Sequence, residues 1–231
     1  MQIDLKLFLK KPLFIVLEGL DCAGKSTQVK LLCDRLNEEG IVTSTTAEAK
    51  GTPIADVIRA EYMTGKRNVD NMVNALSFSA DRYDRFTNED NGVIKRLKQG
   101  ESVIADRWIL SSLVYSCIGV KKEKTKERMQ LMMNINYDII REVSKHANII
   151  SFYIYYLEEE MEKIISRASN RGSTEIYETI GKQKALSSLY DQAILAFPEL
   201  IRYRECITAE DSIQKIHEEL LNAIIREVMT I

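Results

Sequence analysis

The sequence predicts an α/β fold, a parallel sheet wrapped by helices, and three observations carry that prediction. Short β-like runs alternate with helical stretches along the chain, the order that produces parallel strands with helical crossovers. The first run, Leu13 to Leu17, is apolar without alternation, as a strand buried on both faces requires. Directly after it, Gly19 to Ser26 fits G-x-x-x-x-G-K-[ST], a phosphate-binding P-loop set between strand and helix. In such sheets ligands gather at the carboxyl ends of the strands.

The elements follow in order. A helix is expected from Lys25 to about Glu39, with Val29, Leu32, Cys33 and Leu36 on one face and Gly40 placed to end it. Ile41 to Thr46 reads as a second strand, and Pro53 suits the first turn of the next helix. Val69, Met72, Val73, Leu76, Ala80 and Tyr83 keep helical period. Ser102 to Ala105 reads as a strand ending at Asp106, Lys121 to His146 as a polar helix, and Ile149 to Leu157 as a buried strand. Glu158, Glu159 and Glu160 then open a helix, where acidic residues suit the positive end of the dipole. Arg204 to Thr208 is a last short strand. Asp211 to Met229 is a helix with Ile213, Ile216, Leu220, Ile224 and Val228 facing inward. Three prolines and ten glycines leave little room for linkers, so residues 1–231 are expected to form one domain.

Composition narrows the classes. A net charge of −2 argues against a general binder of nucleic-acid polymers or anionic membranes. No apolar run approaches the ~18 residues of a membrane span, and Met1 to Lys11 lacks the apolar core of a signal peptide. Cys22, Cys33, Cys117 and Cys206 are scattered, and His146 and His217 are the only histidines, so a zinc site is not expected. Reduced thiols in the cytoplasm are the expectation.

The P-loop spacing has a chemical reason. Gly19 and Gly24 let backbone N–H groups around Asp21, Cys22 and Ala23 curl about a polyphosphate, and the helix behind aims its positive end at the same anion. Lys25 can reach the β and γ phosphates, and Ser26, followed by Thr27, can ligate Mg²⁺. This makes ATP with Mg²⁺ the expected ligand pair. No N-K-x-D guanine motif is present.

Beyond the loop come Phe78-Ser79-Ala80-Asp81-Arg82, then Asp106-Arg107-Trp108-Ile109-Leu110-Ser111-Ser112-Leu113-Val114-Tyr115, then Arg171-Gly172-Ser173-Thr174-Glu175-Ile176-Tyr177-Glu178. This set, in this order, resembles the thymidylate kinase family, P-loop enzymes that phosphorylate dTMP with ATP. The resemblance implies a five-stranded sheet of order 2-3-1-4-5, a homodimer and a lid at about 167–178. It implies that Arg107 contacts the acceptor phosphate and that Asp106 acts on the magnesium shell through water. Phe78 is implied to stack on thymine, Arg82 to bond its O4, and Ser111 and Ser112 to lie near the base edge. Tyr115 is implied beneath the sugar, and Asp21 at its 3′-hydroxyl.

The chain also departs from that pattern. Where the family often reads T-R-E-P-G-G-T, residues 46–52 read T-A-E-A-K-G-T. Glu48 and Lys50 are therefore counted with the dTMP-binding set, Lys50 as a point charge without the fork of an arginine. The family takes a transition-state arginine from the P-loop or the lid, and those positions hold Cys22 and Ile176. Arg171, or Arg167 one turn before it, is the expected substitute. The glutamine that often follows the tyrosine is Ser116, and Ile207 to Ile213 is similar to the loop beside adenine. Two other readings stay open: a deoxynucleoside kinase with Glu48 as general base, and a weakened nucleotide-binding protein.

Overall fold

The strands form where apolar and β-branched residues run together. They are β1 (Leu13–Gly19), β2 (Thr43–Ala47), β3 (Ser102–Asp106), β4 (Asn148–Tyr156) and β5 (Tyr203–Ile207). The structure, a computed structural model, describes residues 5–169, 180–208 and 210–230. All pairings are parallel and the order is β2-β3-β1-β4-β5, as the resemblance implies. Every residue of β1 is buried, which requires cover on both faces. Leu17 is in register with Asp106 of β3 and with Phe152 of β4, so the carboxyl ends of the three central strands lie side by side.

Helices connect the strands: α1 (Lys25–Glu38), α2 (Pro53–Val57), α3 (Asn71–Thr87), α4 (Val93–Lys98), α5 (Ile109–Tyr115), α6 (Lys122–His146), α7 (Met161–Ser169), α8 (Ile180–Ala196) and α9 (Ile213–Thr230). The end of α1 is as expected: Gly40 sits at φ 75 and donates to Asn37, while Ile41 donates to Leu36. Pro53 opens α2 behind Thr52, whose hydroxyl accepts from the Ala55 amide. A π-helical turn, Ile58–Met63, continues α2.

Two helix faces depart from expectation. In α3 the buried positions are Ala75, Ser79, Asp81, Arg82 and Phe86, while Val73, Leu76 and Ala80 are exposed. The apolar period pointed to the wrong stripe because the buried one carries hydrogen-bonded polar groups. In α9, Ile216, Leu220, Ile224 and Val228 are buried as expected, but Ile213, in the first turn, is exposed. The strand bounds shift by one or two residues. Helices α4, α5 and α8 were not expected from the apolar period.

Candidate active site

At the end of β1 the backbone turns sharply. Gly19 has φ 144, and a Cβ there would lie 1.9 Å from the Ile154 carbonyl oxygen, so only glycine fits between β1 and β4. Cys22 and Gly24 are both left-handed, at φ 67 and 77. Gly24 precedes α1 with no side-chain cap, which leaves the first-turn N–H groups for an anion. Lys25 is buried and its Nζ donates to the Leu20 carbonyl at 2.5 Å. Burial, with Arg107 as a second cause, lowers its pKa to about 8 against the pull of Asp21, Asp106 and Glu18. The Ser26 hydroxyl donates to Asp106 Oδ2 at 2.5 Å, bringing two hard oxygen donors together at the loop mouth. No group of three His, Cys, Asp or Glu side chains could hold a metal among the described residues. The Ser26–Asp106 pair fits Mg²⁺, which keeps waters and phosphate oxygens beside one or two protein ligands.

Where β3 ends, Arg107 is also left-handed, at φ 69. Its Nη1 donates to the Gly19 carbonyl at 2.7 Å, to Tyr190 Oη at 2.8 Å and to Ser111 Oγ at 3.1 Å. Its Nη2 pairs with Asp21, and its guanidinium lies 5.3 Å from the Tyr115 ring centre. Asp21 accepts further bonds from Tyr115 Oη at 3.0 Å and Gln183 Nε2 at 2.9 Å. Burial pushes the Asp21 carboxyl up, but Arg107, Lys25 and these bonds outweigh it and hold it below the usual carboxylate range.

Asp21, Asp106, Arg107 and Tyr115 line one cleft of about 410 Å³ with Ala23, Gly24, Lys25, Ser26 and Thr27 at one end, while Gln183 and Tyr190 are buried behind it. The other end is walled by Lys50, Phe78, Ser111, Ser112 and Tyr115. Phe78 is half-buried against Ala49, Ala55 and Ile58, so its ring is braced from behind. Ile207, Thr208 and Asp211 reach the cleft from the loop similar to the adenine loop; Ala209 of that loop lies outside the described residues.

Arg82 is placed differently. It is fully buried beneath the cleft, with Nε donating to Glu48 at 2.5 Å, Nη1 to Asn136 Oδ1 at 2.6 Å and Nη2 to Ser112 Oγ at 2.5 Å. Nη2 also pairs with Glu48, whose side chain is 4% exposed. The Glu48 carboxylate is thus committed to an arginine. Arg167 lies in α7, and Arg171 and Ile176, with residues 170–178 of the expected lid, lie outside the described residues.

Sequence reasoning missed Glu18, Arg59, Gln183 and Tyr190. An acid inside an apolar strand was a signal for Glu18; Gln183 and Tyr190 sit on α8, more than 150 residues from the P-loop, and carry none. Arg59 lines the cleft from the π-helical turn.

A family model described as "Thymidylate kinase" matches residues 17–220. The probable thymidylate kinase of Thermococcus gammatolerans is 28% identical over 227 residues, 94% of this chain and 98% of that one. That of Caldivirga maquilingensis is 32% identical over 168 residues, 72% of each chain. The solved thymidylate kinase of Candida albicans superposes with a TM-score of 0.67 at 22% identity, covering 94% of this chain and 92% of that one, a likeness of fold. With a phosphate cradle and an Asp-Arg pair meeting at adjoining strand ends, and with the family's model matched from β1 into the last helix, the chain belongs to the thymidylate kinase family.

Proposed function

We propose that this protein transfers the γ-phosphoryl group of ATP to dTMP, giving ADP and dTDP for dTTP synthesis. The observation that carries this reading is the single cleft that joins a P-loop to a wall built from Phe78, Ser112 and Tyr115, with Arg107 between them. Two polyanions must meet end to end, so the protein has to neutralise them, align them and exclude water.

Lys25 leaves the Leu20 carbonyl for the ATP phosphates, while the loop N–H groups hold the remaining oxygens. Arg107 neutralises the acceptor phosphate, whose oxygen attacks the γ phosphorus as the bond to ADP breaks. Ser26 and Asp106 hold Mg²⁺, which neutralises charge on the phosphates when bound. Phe78 stacks on the base, and Tyr115 lies beneath the sugar. Arg82 fixes the Ser112 hydroxyl and Glu48, both of which line the cleft, so its part in base recognition runs through them. Lys50 and Arg59 add positive charge at the acceptor end, and Arg171 or Arg167 supplies the transition-state charge from the lid. The protein acts as a cytoplasmic homodimer.

The commitment of Glu48 to Arg82 disfavours a deoxynucleoside kinase, because a paired, buried carboxylate is a poor base for a sugar hydroxyl. The test is ADP release from ATP and Mg²⁺ with dTMP, dUMP, dGMP, dCMP, AMP and thymidine. Strong preference for dTMP is expected. Turnover of thymidine with none on dTMP overturns the reading, and silence on all acceptors with ATP still bound points to a nucleotide-binding protein.

A further inference from the structure

The reaction proposed above gives no direct role to the most deeply buried acid of the site. Glu18 is 1% exposed inside an otherwise apolar strand. Burial pushes its carboxyl pKa up, with Ser111 and Arg107 pulling the other way, so its presence carries a cost. Its bonds all run to one place. Oε1 accepts from the Trp108 amide at 2.8 Å and from the Ser111 amide at 3.1 Å. Oε2 accepts from the Ser111 hydroxyl, and Ser111 Oγ in turn accepts from Arg107 Nη1 at 3.1 Å.

That place is the turn from β3 into α5. The Arg107 amide donates to the Leu17 carbonyl at 3.0 Å, the last sheet-like bond, and the chain then swings through a left-handed arginine. Such a φ is unfavourable for a non-glycine residue, so the surroundings must enforce it. Trp108, which precedes α5, caps nothing with its own side chain. The neighbouring strand supplies the cap instead. From structure alone, Glu18 reaches Arg107 from both sides: through the backbone of Trp108 and through the Ser111 hydroxyl.

We infer that Glu18 is a positioning residue, holding the Arg107 turn and guanidinium in the geometry that receives the acceptor phosphate. The inference rests on the dTMP kinase reading for its kinetic consequence, but the hold on the turn has its own readout, since Trp108 is the sole tryptophan of the chain.

The experiment compares wild type, Glu18→Gln and Ser111→Ala by Trp108 emission, by titration with a fluorescent ATP analogue, and by kcat and KM for dTMP. Glu18→Gln keeps the shape and turns one oxygen into an N–H₂ facing Ser111. It is expected to shift Trp108 emission and lower kcat/KM for dTMP by about tenfold or more, with ATP affinity changed by no more than about threefold. Ser111→Ala cuts the link to Arg107 and keeps both amide caps, so it lowers kcat/KM in the same direction with emission unmoved. Glu18→Gln at wild-type kcat/KM for dTMP, or equal losses for ATP and dTMP, overturns the assignment. Should Glu18→Gln fail to fold, Glu18→Asp, which keeps the charge and shortens its reach to the Trp108 and Ser111 amides, decides it on the same kinetic split. A wild type that binds the ATP analogue yet ignores dTMP overturns the substrate reading alone; Glu18 is then judged by Trp108 emission in Glu18→Gln, and an unmoved spectrum sinks its role.

Discussion

The two ends of the cleft are built by opposite means. The proposed donor end is one continuous stretch, Asp21 to Thr27, whose backbone and one lysine line the cleft. The acceptor end draws side chains from α3, α5, α6, α8 and the segments after β2 and β3 together: Arg82 with Glu48, Asn136 and Ser112, and Arg107 with Ser111 and Tyr190, Arg107 also reaching across to Asp21 of the loop. A short local motif can hold a generic polyphosphate because backbone amides are the same in every sequence. Recognising one nucleotide among several needs shaped walls, and shape comes from distant elements fixed against one another. The donor lysine is held by a single carbonyl and can move; the acceptor arginines are pinned several times over.

The largest effect expected from this difference is on stability. Arg82→Met removes the partner of a buried Glu48 and should cost about 3–5 kcal/mol, a drop in Tm visible by calorimetry. Adding Glu48→Gln to it should recover much of that loss, because the uncompensated charge is gone. A single variant as stable as wild type would mean that the buried pair contributes nothing net. Lys25→Met tests the donor end. It should lower kcat by about 10²–10³-fold, the scale of losing one electrostatic donor at a transition state. Its Tm at pH 7 should stay level or rise, since a charge that burial disfavours has been removed. A variant within a few-fold of wild-type turnover would sink the role of the lysine. Phe78→Ala comes next. Stacking on a base is worth about 1–3 kcal/mol, so the KM for dTMP should rise by about 5–150-fold with that for ATP little changed. Equal effects on both would instead indicate a disturbed Ala49–Ala55–Ile58 cluster.

The same contrast explains what was legible in the sequence. The five strands, α1 and α9, the P-loop and the burial of Val29, Leu32, Leu36, Leu220 and Ile224 follow from apolar period and glycine placement. Phe78, Arg107, Ser111 and Tyr115 were found through the resemblance, which reads spacing along the chain. What neither could read was pairing across it. The α3 stripe was misassigned because Asp81 and Arg82 are buried, Asp81 against the Thr52 hydroxyl at 2.5 Å and against Arg85. A periodicity argument counts such residues as solvent-facing. Arg82, expected at the base edge, is fully buried on Glu48, Asn136, Trp108 and Ser112: its position on the helix was legible, and these four partners were not. Gln183 and Tyr190 show the limit most plainly, since they meet Asp21 and Arg107 from 162 and 83 residues away along the chain.

The smallest predicted effect separates the two ends by pH. In the free protein the Lys25 ammonium titrates at about 8, depressed from 10.5 chiefly by burial. A bound polyphosphate favours the charged form, so the pKa rises on binding and the complex holds a proton that the free protein has lost. Below pH 8 both states are protonated and affinity is flat. As pH climbs above 8, binding must take up a proton, and ATP-analogue affinity should fall by roughly tenfold between pH 8 and 9.5. Folding carries the opposite sign: with the folded pKa below the unfolded one, the charged lysine costs stability below pH 8, and that cost is relieved as pH rises from 8 to 10.5. Arg107 at the acceptor end has its pKa raised and stays charged throughout, so affinity for dTMP should not share the decline. In Lys25→Met the ATP-analogue profile should be weak and level across this range. A wild-type affinity that is flat through pH 9.5 would mean that Lys25 is already fully charged in the free cleft, and that the mobility attributed to the donor end, one lysine released from one carbonyl, carries no proton with it.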